Sequence, residues 1–136
     1  MVKSKTFVKI VSHGIYSGWN PASRDLPKIV RFCDEVPARL DMEFGMIINI
    51  RQAKGNCIDW CIEHPNIPGD DGKPLAPFRG TMRITGSDWK FFLGDTIWAP
   101  PEDKIGDWRM WVKLDGNVVA EKTFHVVPET WSHPVL

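Results

Sequence analysis

The sequence predicts an all-β protein, an antiparallel sandwich of about seven to nine strands with minimal helix. Eleven glycines and eleven prolines are spread singly along the 136 residues, as expected for turns between many short segments. The longest stretches without these residues alternate between apolar and polar side chains, and none shows helical periodicity over ten or more residues.

Eight segments between the turns have the composition of strands. They are residues 6–16, 28–33, 40–52, 56–64, 78–85, 89–98, 106–114 and 118–127. Residues 19–27 and 66–77 are rich in proline and lack a pattern, so they are predicted to be irregular loops, and residues 128–136 a short C-terminal tail. Because no composition break divides the segments, residues 1–136 are expected to form one domain.

The segment at 40–52 shows the clearest alternation. Its even-numbered residues from Leu40 to Ile50 are all apolar, whereas the odd-numbered residues from Asp41 to Arg51 are mostly polar or glycine. Since successive side chains of a strand point to opposite faces, one face is predicted to lie in the core and the other mostly in water.

The most informative part of the chain is a predicted hairpin at its end. Trp108, Met110, Val112 and Leu114 share one face and are expected in the core, and Asp115-Gly116-Asn117 supplies a tight turn. On the other face of this hairpin, side chains of residues 118–127 are expected to lie beside those of residues 106–114. We therefore predict an amphipathic interaction surface there, formed by Arg109, Trp111, Lys113, Val119 and Glu121, with Thr123 beside them.

Several short motifs point to a known family. The pattern from Gly106 to Val127, with its Trp and a final Phe-x-Val, is similar to the last two strands of bacterial immunoglobulin-like domains. Upstream lie Gly14-Ile15-Tyr16, Val36-Pro37-Ala38-Arg39 before Glu43-Phe44-Gly45, and His64-Pro65. Over nearly its whole length, the chain resembles a bacterial family of immunoglobulin-like β-sandwich domains of unknown function. The resemblance implies the fold, and it implies no activity or site residue.

A second resemblance predicts a different architecture. Gly106-Asp107-Trp108 resembles the Gly-x-Trp signature of lipocalin-type barrels, which hold a ligand inside. That signature belongs to the first strand of those barrels, whereas here it stands in the penultimate predicted strand. Its position favours a sandwich with a filled core over a barrel.

The charge balance excludes several partners. Seventeen basic and seventeen acidic residues give no overall field to attract nucleic acid or anionic lipid, so neither is an expected partner.

No segment reaches the roughly twenty apolar residues of a membrane-spanning helix. The apolar stretch near the N-terminus is too short for a signal peptide, and an odd cysteine count argues against a secreted disulfide framework, so we predict a cytoplasmic protein. A net charge near zero eases self-association, which makes a homodimer or another protein the expected partner.

Cys57 and Cys61 have the one spacing that invites a metal site, with Asp59 between them and His64 after them. Residues four apart on a strand are separated by about 13 Å, too far to share one metal ion or a disulfide. We therefore predict free structural thiols, no metal and no cofactor. The four histidines lie in no catalytic motif.

Seven tryptophans are the most unusual feature of the composition. Trp60, Trp89 and Trp108 fall on apolar faces and are expected in the core, whereas the environments of Trp19, Trp98 and Trp111 stay open. The leading hypothesis is a non-catalytic interaction module that presents a sheet face or edge to a protein partner or to its own copy. The alternative is a small-ligand binder, with carbohydrate stacked on an exposed Trp, and a hydrolase built on a cysteine and a distant histidine comes third.

Overall fold

The computed structural model describes residues 5–18, 20, 22–23 and 25–129. Within them the chain forms nine strands and one short 3-10 helix, Pro101–Lys104, and no α-helix. The strands are β1 (Phe7–Ser17), β2 (Lys28–Phe32), β3 (Glu35–Pro37), β4 (Glu43–Arg51), β5 (Cys57–Glu63), β6 (Phe78–Arg83), β7 (Asp88–Thr96), β8 (Gly106–Leu114) and β9 (Asn117–Val127).

The strands form two sheets that enclose the core. Sheet A has the order β2-β1-β4-β7, and sheet B has the order β3-β9-β8-β5-β6. Neighbouring strands are antiparallel except for β3 and β9, which pair in parallel. The predicted β-sandwich is confirmed, and each of the eight predicted segments contains a strand. The sequence missed β3 because a three-residue strand that ends in a proline is too short to show alternation.

The core lies between the two sheets and is continuous along their length. Phe44 and Trp108 are fully buried, and their rings meet edge-on with centroids 5.2 Å apart, which joins β4 of sheet A to β8 of sheet B. The predicted inward face of β8 is confirmed, since Met110, Val112 and Leu114 are also buried. Trp60 and Trp89 are half-buried and pack against this core.

The hairpin between β8 and β9 has the predicted turn. Asp115 and Gly116 both adopt positive φ, at 56° and 81°, between the end of β8 at Leu114 and the start of β9 at Asn117. A two-residue turn with two positive φ angles matches the right-handed twist of the flanking strands.

The prediction that the second face of β4 is mostly wet is wrong. One row across β1, β4 and β7 consists of Gly14, Gly45 and Gly94. Beside that row, aromatic rings cover the outer face of sheet A. Tyr16 is only 3% exposed, and its ring meets that of Phe92 edge-on at 5.0 Å. A Cβ atom on Gly94 would overlap the Phe92 ring, so the glycine provides the space that this ring occupies.

Two further odd-numbered residues, on the same outer face of β4, are also buried. Ile47 is 8% exposed and Asn49 is 2% exposed. The Asn49 amide donates hydrogen bonds to Asp88 Oδ1 at 2.7 Å and to the Trp89 carbonyl oxygen at 3.0 Å, so both of its donors are satisfied by the edge strand β7.

One end of the sandwich is closed around a buried lysine. Lys104, at the end of the 3-10 helix, is 1% exposed, and its Nζ lies 4.3 Å from the centre of the Trp98 ring. Nζ also donates to the Pro100 carbonyl oxygen at 3.1 Å and forms an ion pair with Asp103 Oδ1 at 2.5 Å. Trp108 Nε1 donates to the Lys104 carbonyl oxygen at 2.8 Å. Trp98, whose environment the sequence left open, is therefore half-buried above a cation.

Two connections of the described chain are irregular. No strand occurs among the described residues between Ser17 and Lys28, and only an isolated bridge between Pro68 and Pro74 interrupts the connection from β5 to β6. Trp19, and the predicted tail beyond Glu129, lie outside the described residues. No helix of the described chain is both long and apolar enough to span a bilayer.

We expect Trp108→Ala to destabilise the fold by about 3 to 5 kcal/mol, because it removes a fully buried indole that bridges the two sheets. Chemical denaturation measures the change. Trp108→Phe, which keeps an aromatic ring but loses the hydrogen bond to Lys104, is the control and should cost less. A loss under about 1 kcal/mol for the alanine variant would contradict the bridging role of the indole.

Candidate functional site

The outer face of sheet B brings together most of the predicted interaction surface. Trp111 of β8 stands between Cys61 of β5 and Glu121 of β9 in one row, and Arg109 stands between Glu63 and Thr123 in the next. We call the group formed by Glu63, Arg109, Trp111, Lys113 and Glu121 the Trp111 face.

Arg109 is the centre of the Trp111 face. Its Nε donates to Glu121 Oε2 at 2.6 Å, a second guanidinium nitrogen contacts the same carboxylate, and Nη1 lies 3.3 Å from Glu63 Oε1. The guanidinium carbon lies 4.3 Å from the centre of the Trp111 ring. Hydrogen bonding to Glu121, and more weakly to Glu63, raises the pKa of Arg109. The guanidinium is thus held over the indole from both sides.

The predicted position of Val119 is wrong. The pairing of β8 with β9 shifts register after Val112, so Ala120 lies opposite Val112 but Val118 lies opposite Lys113. Val119 is the extra residue of this bulge and packs against the core. The exposed valine opposite Lys113 is Val118, which is 47% exposed.

A shallow groove of about 320 Å³ borders Trp111 on the side of β5 and β6. Asp59, Arg79, Thr81 and Lys113 contribute polar side chains to it. Thr81 Oγ1 donates to Asp59 Oδ1 at 3.0 Å. The groove therefore combines an aromatic wall with both signs of charge.

The cysteines are free and separated. Cys57 and Cys61 both lie on β5, as predicted, and Cys57 is exposed whereas Cys61 is 2% exposed. Burial raises the pKa of the Cys61 thiol and that of the Cys33 thiol. Within the described ranges, no three side chains of His, Cys, Asp or Glu come together as a metal site would require.

The described histidines make contacts that hold the structure together. Both ring nitrogens of His64 face main-chain carbonyl oxygens, of Pro65 at 2.7 Å and of Ala76 at 2.9 Å, which ties the two ends of the loop between β5 and β6. His13 and His125 lie beside carboxylates, those of Asp34 at 3.3 Å and Asp107 at 2.7 Å. His133 lies outside the described residues.

The sequence did not reveal the role of Glu63. Its contact with Arg109 depends on the pairing of β5 with β8, which are separated by two other strands in the chain. Alternation within a strand predicts which face a side chain occupies but not which distant strand lies beside it.

A match to a protein family model shows which family the chain belongs to. The model of the family described as Domain of unknown function (DUF3859) matches residues 4–126. The chain belongs to this family. The resemblance inferred from the short motifs is thereby confirmed, and DUF3859 extends from before β1 almost to the end of β9.

One solved structure supports the fold of this DUF3859 member. An immunoglobulin-like protein from Pseudomonas aeruginosa is similar with a TM-score of 0.69 and 22% sequence identity, over 92% of this chain and 100% of that one. An alkylpurine DNA glycosylase from Pseudomonas fluorescens aligns with a TM-score of only 0.41 and 10% identity, over 68% of this chain and 27% of that chain, and supports no inference. Among curated proteins, none matches the sequence.

We expect a thiol reagent such as Ellman's reagent to modify Cys57 much faster than Cys61 in the folded protein. Cys57 is exposed, whereas Cys61 is buried and its thiol pKa is raised, so little thiolate is accessible there. Mass spectrometry of partly modified protein measures the order, with Cys57→Ser as the control that removes the fast phase. Equal rates would contradict the burial of Cys61.

We expect the pKa of His125 to lie above its usual value of about 6.5, because its ring donates to Asp107 and is attracted by that carboxylate. The resulting contribution to stability is present below pH 6.5 and is lost as the pH rises through the folded-state pKa. Proton NMR of the His125 ring measures that pKa, and Asp107→Asn should lower it. A pKa that is unchanged in Asp107→Asn would contradict the pairing.

Proposed function

We propose that this domain is a non-catalytic binding module that uses the Trp111 face as its contact surface. The observation that carries the proposal is the stacking of Arg109 on Trp111, with the guanidinium bound to Glu121 and Glu63. Trp and Arg are the residues most enriched at the centres of protein interfaces.

The fixed geometry of the Trp111 face suits binding. A partner that contacts Trp111 meets an indole already ordered by Arg109, so less side-chain freedom is lost on association. The ion pairs that hold Arg109 are at least two-fifths exposed, and such pairs contribute only about 0 to 1 kcal/mol to folding. Their arrangement therefore matters more for a contact than for the stability of the domain.

The positions of the charged residues across the Trp111 face favour a protein partner, and in particular a second copy of this chain. Arg79 lies at the β6 side of the row that contains Trp111, and Glu121 lies at the β9 side. A two-fold axis parallel to the strands would place Arg79 of one copy against Glu121 of the other, with the two indoles between them. A symmetric contact of this kind is self-complementary.

Carbohydrate is the second candidate ligand, and the groove beside Trp111 favours it. Sugars bind where a ring face adjoins several hydrogen-bonding side chains, and Asp59, Arg79 and Thr81 adjoin Trp111 there. Because Arg109 covers one side of the indole, a sugar would stack on the side toward the groove.

The thiols and histidines give no support to a hydrolase. The Cys61 and Cys33 thiols have raised pKa values, which disfavours the nucleophilic thiolate, and the rings of His13, His64 and His125 are engaged by carboxylates or carbonyl oxygens. An exposed free Cys57 suits a reducing compartment, so we place the module in the cytoplasm.

We expect Trp111→Ala to weaken self-association, or capture of a protein partner, by about 1 kcal/mol or more, and to leave the denaturation midpoint nearly unchanged. Sedimentation equilibrium and chemical denaturation measure the two effects. Val30→Ala, which shortens an exposed side chain of β2 in the other sheet, is the matched control and should change neither.

Unfolding of Trp111→Ala would instead show that the indole belongs to the core, and unchanged association would remove the Trp111 face from the contact. A sugar titration that quenches the fluorescence of the wild-type protein but not that of Trp111→Ala would favour the carbohydrate alternative.

A further inference from the structure

One side of the sandwich is open. There β6 is the last strand of sheet B and β7 is the last strand of sheet A, and the two do not pair with each other. β6 pairs with β5 in continuous register from Phe78 to Arg83, without a bulge. A regular edge without a bulge presents unpaired main-chain groups to which another strand can add.

An apolar cleft of about 180 Å³ opens between these two edges. Trp60 and Ile62 of β5, Met82 of β6, and Phe91 and Leu93 of β7 line it, and Met82 is 40% exposed. The Trp60 indole lies against Gly80 of β6, where a Cβ atom would overlap it. An apolar side chain from outside the domain can therefore approach β6 at Gly80 and contact Trp60.

The other face of β6 carries positive charge. Arg79, Thr81 and Arg83 are exposed there, and neither arginine forms an ion pair with any carboxylate of the part of the chain that the structure describes. Arg109, on the same sheet, pairs with two glutamates. The cations of β6 are thus available to an outside partner.

We propose that the edge of β6 is a docking site for an extended, acidic segment of a partner protein, which adds to sheet B as a sixth strand. Main-chain hydrogen bonds to β6 hold the segment in place, and its side chains alternate between the two faces. Acidic residues lie opposite Arg79 and Arg83, and apolar residues opposite Gly80 and Met82 enter the cleft. The recognised pattern is acidic, apolar, small polar, apolar, acidic.

Charge disfavours other occupants of this edge. Antiparallel pairing with β6 of a second copy, centred on Thr81, would place Arg79 directly opposite Arg83 of the other copy, and like charges across a strand pair repel. Edge cations normally prevent strand pairing, so here they restrict the edge to a segment of opposite charge.

Two other edge strands, β7 and β2, are less suitable for an acidic segment. β7 contains two aspartates, Asp88 and Asp95, and a single cation, Lys90, and it has no pair of cations on one face as β6 has. β2 joins β1 through a register shift between Ile15 and Tyr16, and such an irregularity twists an edge strand away from a partner.

A fluorescently labelled peptide tests the proposal. It carries glutamate, leucine, threonine, valine and glutamate in that order between flanking serines, and its control carries lysine in place of both glutamates. We expect the acidic peptide to bind the full chain at least about tenfold more tightly than the lysine peptide, measured by fluorescence polarisation at low salt.

Reversal of both charges provides the decisive comparison. The double variant Arg79→Glu and Arg83→Glu changes exposed side chains only and should fold normally by circular dichroism. It should lose the acidic peptide and bind the lysine peptide instead. If the double variant binds both peptides as the wild-type protein does, or if the wild-type protein binds neither, the docking site does not exist.

Strand addition itself is tested with N-methylated acidic peptides. Methylation of the amides that face β6 should abolish binding, whereas methylation of the alternate amides should not, and equal tolerance of both would overturn the strand geometry. Trp111→Ala should bind the peptide as the wild-type protein does, because the segment lies beyond β6 and Trp111 is two strands away. A failure of the Trp111 face is therefore distinguishable from a failure of the β6 site.

Discussion

Trp108 packs edge-on against Phe44 across the space between the sheets, with ring centroids 5.2 Å apart, and donates its indole N–H to the Lys104 carbonyl oxygen. The first contact joins β8 to β4, and the second fixes the 3-10 helix at the end of the sandwich. Lys104 in turn lies over the ring of Trp98, so three aromatic side chains and one cation close that end together. A single fully buried residue thus sets the distance between the sheets and the position of the chain that enters β8.

The outer face of sheet B depends on that inward residue. Because Trp108 must face the core, Arg109 and Trp111 must face outward, and the register with β5 and β9 then brings Glu63 and Glu121 to the two sides of the guanidinium. The forces differ greatly in size. Burial of a large apolar side chain contributes about 1.5 to 3 kcal/mol, whereas an exposed ion pair contributes about 0 to 1 kcal/mol. The packing of the core therefore determines where the residues of the Trp111 face lie, and their ion pairs form in the positions that the core allows.

The sequence predicted those features that depend on one strand at a time. The inward face of β8, the Asp115-Gly116 turn and the outward positions of Arg109 and Trp111 follow from alternation and turn chemistry, and all of them are found. What it could not predict arises between strands that are distant in the chain. The outer face of β4 contains Gly45 and polar residues and is predicted in isolation to face water, but Tyr16 of β1 and Phe92 of β7 cover it. The bulge that turns Val119 inward and the partnership of Arg109 with Glu63 have the same origin, since each depends on register across a strand pair.

Because Lys104 is buried, its chemical reactivity reports how often the 3-10 helix separates from the end of the sandwich. A reagent that acylates free amines can reach its Nζ only when the 3-10 helix separates from Trp98, because the side chain is 1% exposed in the closed state. Most other lysines of the described chain lie at the surface and are modified without such a step. Where local opening is more frequent than global unfolding, the ratio of the two labelling rates therefore reports the population in which this end of the domain is open.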